Sequence, residues 1–258
     1  MKLIATAAVA GCLLAPAAAG AQEADDWEYG EDAGRKMAAA VTRYDSGHAL
    51  AVQCSEKLLT VAIVGFPGPD EGEVWLEVMR PDGRADAMVW NRRPGGVLSA
   101  REGARAARTL RGGGIVRLRS AGADPAIRAA FELPATWVNL DRAIGACDRP
   151  LESARDAVPL LRGNIVGWTV ADLPSSAYSS SREGTRVTAV SCLVGEDLRL
   201  HDCVDEGAMG DRRLAAALRE GLTGVQVAPA EGEDAVGKVF YLESVTTTTV
   251  EYLGTVAG

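Results

Sequence analysis

The sequence predicts an α+β protein: an antiparallel β-rich domain closed by a helix, followed by a smaller domain mixing strands with one helix. Three observations predict it. Short β-forming segments punctuated by turn residues fill most of residues 36–133. A helical pattern ending in Cys147 follows them, and a strand–strand–helix–strand order occupies residues 185–253.

Ahead of these elements, Met1-Lys2 is a short positive start, Leu3 to Leu14 is apolar, and Pro16 to Ala21 is rich in small residues. Ala19-Gly20-Ala21 before Gln22 has the form of a signal-peptidase site, so residues 1–21 are expected to be a cleaved signal peptide. The expected compartment is the periplasm of a Gram-negative bacterium. A retained anchor is the competing reading, but the run is barely long enough to span a bilayer and is interrupted by Gly11, Pro16 and Gly20. Val9-Ala10-Gly11-Cys12 reads as a lipobox, and acylation of Cys12 is the one route to membrane contact that the sequence offers.

The first domain is expected over residues 26–149. Lys36 to Tyr44, His48 to Cys54 and Lys57 to Phe66 are rich in β-formers. Glu73 to Met79 and Arg84 to Trp90 flank Pro81-Asp82-Gly83, a turn between apolar runs. Ser99-Ala100-Arg101-Glu102 reads as a capping box, opening a helix with Ala104, Ala107 and Leu110 on one face and Gly112-Gly113-Gly114 at its end. Ile115 to Arg119 and Ala126 to Leu133 form a hairpin. After Pro134 a last helix aligns Trp137, Leu140, Ile144 and Cys147.

Residues 150–163 read as a mixed charged and apolar linker, partly helical. The second domain is expected over residues 164–258. Thr185 to Val194 and Leu198 to Asp205 are strands joined by a tight turn. Asp211 caps a helix bearing Leu214, Leu218 and Leu222, and Val236 to Val245 and Thr246 to Leu253 are β-rich.

At 47% hydrophobic residues the chain can bury a core, and its formal net charge of −8 argues against nucleic acid and anionic lipid as partners. The excess of Arg over Lys reads as genome composition rather than a binding patch.

After signal cleavage Cys54, Cys147, Cys192 and Cys203 remain, and an even number in an exported chain reads as two disulfides. Cys54 lies in a central-looking strand and Cys147 on the buried side of the closing helix, so their bond would pin helix to sheet. The other pairings would cross domains. Antiparallel partners keep a constant sum of residue numbers, so a two-residue loop at Asp197-Leu198 sets Cys192 opposite Cys203, within disulfide reach. It also requires positive φ at Leu198, a strain that a longer loop around Gly195 would relieve, and places His201 opposite Val194.

Gly184-Thr185-Arg186-Val187, Cys192-Leu193-Val194, Asp197, Leu200, Asp202-Cys203-Val204, Leu214 to Leu218 and Val227-Ala228-Pro229 follow one another at spacings that resemble the TonB C-terminal domain in its cysteine-containing form. The resemblance covers residues 167–245, with Leu198 standing where that family usually has Gly. It implies a two-layer α/β module that grips a protein segment by strand addition. An energy transducer would also need a retained membrane helix and a long proline-rich spacer, so the resemblance implies a borrowed interaction module. The first domain distantly resembles periplasmic β-sandwich accessory proteins associated with type VI secretion, through Trp27, the Cys54 strand and the Leu133 to Cys147 helix.

For catalysis the sequence offers only His48 and His201, in different halves, and no G-x-S-x-G motif. Ser175, Ser176, Ser179, Ser180 and Ser181 read as a solvated loop. His201 with Cys192 and Cys203 lacks a fourth zinc ligand, and the acids from Glu196 to Glu206 lack a calcium-loop pattern. No cofactor is expected. The run Val245, Thr246, Thr247, Thr248, Thr249 and Val250 suits an exposed edge strand where another chain can add. The expected function is therefore non-enzymatic binding of an envelope protein or peptide along that strand. The alternative is an envelope hydrolase or modifying enzyme with a site between the halves.

Overall fold

A computed structural model describes residues 25–69, 71–80, 82–120, 126–174, 177, 184–206 and 212–248. The signal segment with Cys12, Pro81, the serines from Ser175 to Ser181 and Asp211 lie outside the described residues. The fold is α+β and mostly antiparallel sheet.

The first half holds nine strands in one sheet. In chain order they are β1 (Glu28–Asp32), β2 (Met37–Arg43), β3 (Ala49–Ser55), β4 (Leu58–Val64), β5 (Glu73–Met79), β6 (Ala85–Arg93), β7 (Val97–Ala100), β8 (Gly114–Ser120) and β9 (Arg128–Leu133). They are ordered β1-β2-β3-β4-β7-β6-β5-β8-β9. The alternation that marks them in the sequence is the alternation of burial. Leu50, Val52 and Cys54, then Leu59, Val61 and Ile63, then Val74, Leu76 and Val78 all point inward. The sheet curls back on itself. Phe131 of β9 meets Tyr44 at 5.0 Å and His48 at 5.7 Å between ring centroids, and the Tyr44 hydroxyl donates to the Glu132 carbonyl.

Two helices fill the interior and its flank: α1 (Gly103–Thr109) and α2 (Val138–Ala146). Leu140, Ala143 and Ile144 of α2 are buried, and Cys147 just beyond them is bonded to Cys54, with Cα atoms 5.4 Å apart. The capping box at Ser99 does not form. Ser99 belongs to β7, where its backbone pairs with Ala62 on one side and Asn91 on the other, so the helix starts four residues later. Gly103 is required there, because a Cβ at that position would stand 2.2 Å from the Leu59 carbonyl oxygen of β4.

Residues 150–163 carry a 3-10 turn at Ala154–Ala157 and run into β10 (Gly163–Val166), which pairs with β13 (Gln226–Pro229). The second half is completed by β11 (Gly184–Val194), β12 (Leu200–Asp205), α3 (Arg212–Leu222) and β14 (Val239–Thr248). The three longer strands form a sheet ordered β12-β11-β14, with Leu214, Leu218 and Leu222 of α3 buried against a second apolar cluster. The described part of the chain's end is one continuous strand, Val239–Thr248, with Val245 and Thr246 both in register with β11.

The cysteine hairpin differs from the two-residue expectation. Cys192 and Cys203 are bonded with Cα atoms 4.1 Å apart. The register steps by one between Ser191 and Leu193, with Asp202 at φ 47°, so a bulge takes up one extra residue. The loop therefore holds Glu196, Asp197 and Leu198, closed by the Gly195 amide donating to the Arg199 carbonyl. Leu198 does take positive φ, 56°, at the left-handed position that ends such a three-residue loop. The shift places His201 opposite Leu193 rather than Val194.

Candidate functional site

β14 is packed on both faces and paired on one edge. Val239 and Tyr241 join the first half's apolar cluster, while Phe240 and Leu242 join the second half's. Its inner edge pairs with β11 throughout, from Leu193 opposite Val239 to Gly184 opposite Thr248. On its outer edge Val239 donates to the Pro159 carbonyl at 2.9 Å and accepts from the Leu161 amide at 2.7 Å. Beyond Val239 no strand lies along that edge among the described residues. Of the residues expected to bind a partner, Val245, Thr246, Thr247 and Thr248 fall on this stretch, while Thr249 and Val250 lie outside the described residues.

Beneath β14 lies a buried polar junction between the halves. Arg108 of α1 makes a two-pronged pair with Asp156, at 2.6 and 2.8 Å, and stands 3.5 Å from Glu206. Glu206 accepts from the Ser191 hydroxyl at 2.7 Å. Arg149 reaches Glu243 of β14 at 3.5 Å. Burial raises the Glu243 carboxyl above its ordinary range, against the pull of Arg149. Burial also drives the Tyr241 phenol upward, and its hydroxyl has no hydrogen-bond partner among the described residues.

The same helix and the residues just beyond it supply two further clamps. Arg105 is 2% exposed, pairs with Asp86 at 2.6 and 2.9 Å, and donates to the Arg155 and Val158 carbonyls. Arg111 pairs with Asp141 and donates to the Leu151 carbonyl. Residues 150–163 are thus bolted to α1. Sequence reasoning missed Arg105, Arg108, Arg111 and Arg149. For the first three a legible signal existed: Arg105, Arg108 and Arg111 recur every three residues among the apolar Ala104, Ala106, Ala107 and Leu110.

The histidines stay apart. His48 contacts the Ser46 hydroxyl at 2.9 Å and packs its ring against Phe66. His201 bonds Asp197 at 3.0 Å on the exposed hairpin, and that bond holds the Asp197 carboxyl below its ordinary range. Cys192 and Cys203 are bonded to each other and therefore do not join His201 as metal ligands.

No family model matches the chain. No curated protein matches it. Among solved structures it is similar to a tetra-tandem repeat from the extending region of a large adhesion protein, at 10% identity and a TM-score of 0.21. The match covers 82% of this chain, which spans 55% of that structure's length. A superposition of that score carries no inference about fold or role.

Proposed function

We propose that the chain is a non-enzymatic binding protein that captures an extended protein segment along the outer edge of β14. The two disulfides fit an oxidising, extracytoplasmic compartment, and the N-terminal residue pattern supports the periplasm of a Gram-negative bacterium. One observation carries the reading. From Phe240 to Thr248 the backbone is hydrogen-bonded on a single side among the described residues, on a strand whose faces are held by two cores. An added segment would find a row of amide and carbonyl groups already fixed in extended geometry, with little ordering cost. The strand–strand–helix–strand order, with α3 on one face of the sheet, supports kinship with the TonB C-terminal module. That resemblance implies the same mode of binding.

The test is photo-crosslinking in cells from Thr246 and Thr247, followed by sequencing of the trapped segment. A synthetic copy of that segment should bind the purified protein. N-methylation of alternate backbone amides in the peptide should weaken binding at least tenfold, since those amides would form the ladder. Binding that is indifferent to N-methylation, or crosslinks only within the chain itself, would overturn strand addition.

A further inference from the structure

The outer face of β6, β5, β8 and β9 departs from the acidic character of the rest of the molecule. Two concavities, of about 470 and 560 Å³, lie side by side on it and share Glu77 and Arg119. Arg117, Arg119, Arg128 and Arg162 line them with Glu77, and Glu132 stands on the same face of β9 next beyond Ala130, in a chain whose net charge is −8.

The register makes the charge imbalance specific. Arg119 of β8 stands between Glu77 of β5 and Arg128 of β9, its direct partners across the two ladders. Glu77 engages Arg119 at 2.9 Å. Arg128 is left opposite a like charge, an arrangement that costs stability. Arg117, opposite Ala130, is its diagonal neighbour, and Cα atoms so placed are ~7–8 Å apart. Neither Arg117 nor Arg128 has a carboxylate partner among the described residues. Two guanidinium forks at that spacing can hold one carboxylate between them.

Shape narrows the class of ligand. The groove crosses four strands, roughly 14 Å at ~4.8 Å per spacing, and ends at Arg162, whose guanidinium lies 5.2 Å from the Trp75 ring centroid. A chain running across strands cannot join a backbone ladder, so an extended peptide gains little here. The exposed floor includes Ala85, Ala87 and Ala130, small enough to admit a ring close to the sheet. We propose that this face binds an acidic oligosaccharide, with sugar rings over the alanine floor and a ring carboxylate between Arg117 and Arg128. The proposal stands apart from strand addition, because β14 belongs to another sheet.

The probe is hexagalacturonate, titrated calorimetrically into the full chain at low ionic strength, where surface charge attraction is least screened. Wild-type protein should bind it, and the methyl-esterified hexamer should bind at least tenfold more weakly. Arg117→Ala with Arg128→Ala should cost at least tenfold with no fall in melting temperature, since both side chains are exposed and the like-charge pair is removed. Failure of the uronate to bind, or binding unaffected by the double substitution, would overturn the proposal. Equal affinity for hexaglutamate would also overturn it, by showing that the groove reads acidic peptides instead.

Discussion

Glu102 shows what a single buried residue does to this fold. It sits at the start of α1, buried, with Oε2 unpartnered among the described residues. Burial raises its carboxyl to about 7, and the nearby charges of Arg101 and Arg105 offset only part of that. The sign of the consequence follows from linkage. Below the ordinary value of 4.5 the group is protonated folded or unfolded, and it costs nothing. Between 4.5 and about 7 the unfolded chain loses the proton while the folded chain keeps it, so stability falls as pH rises. Above that range the loss is complete. Glu102→Gln should therefore raise the unfolding free energy by roughly 1–3 kcal/mol at pH 8 and leave it unchanged at pH 4. Urea titrations at the two pH values decide it. An equal gain at both would show that the carboxyl is not held neutral by the fold.

At the scale of elements, the hairpin β11–β12 depends on its bond. Cys192 and Cys203 close a short loop, separation 11, so losing the bond should cost ~2–4 kcal/mol, largely by freeing the unfolded chain. Replacing both with serine should lower stability by that amount in oxidising buffer. Wild type and variant should converge once reductant opens the bond, and a gap that persists would locate the cost in packing instead. The same hairpin marks how far the sequence could be read. Alternating apolar residues made β2 to β6, β8 and β9 legible, and leucines four apart revealed α3. β1, β7, β10 and β13 span only four or five residues and carry too few alternations to register. β7 was further masked because Ser99 and Glu102 imitate a helix cap, whereas the ladders on both sides of Ser99 decide its conformation. The bulge at Cys192 was illegible for a similar reason. It reflects the packing of a hairpin whose turn carries Leu198 at positive φ, not a residue pattern. The threonine run suggested an edge strand, since threonine suits both pleat and solvent, and β14 ends the strand order β12-β11-β14 among the described residues. The junction arginines announced only their three-residue spacing among apolar neighbours: arginine in sequence reads as surface, and only the tertiary fold brings Asp86 to Arg105 and Glu206 to Arg108.

Across the whole molecule, the three-stranded sheet of the second half is covered on one face by α3 and its apolar cluster and on the other by the first half. Leu160, Leu193, Val239 and Tyr241 all contribute to the first half's core, so the two clusters meet through β11 and β14. Charge locks that contact: Arg108 and Arg149 come from the first half, Glu206 and Glu243 from the second. Buried ion pairs are poor sources of net stability, but removing one partner leaves the other charged, desolvated and unpaired, at a cost of ~3–5 kcal/mol. Arg108 serves two carboxylates, Asp156 and Glu206, so its loss exposes both. Its replacement should weaken the junction more than either half. Wild-type protein should accordingly melt in one calorimetric transition, and Arg108→Met should split it into two, the halves uncoupling while each core persists. A single transition merely shifted downward would mean that the apolar contacts of Leu160, Val239 and Tyr241 suffice to couple the halves. Two transitions already present in wild type would mean that the junction does not couple them at all. In the first case β14 is held for its partner chiefly by packing. In the expected case the edge that receives the partner is held in place by charge, and weakening Arg108 should weaken partner binding as well.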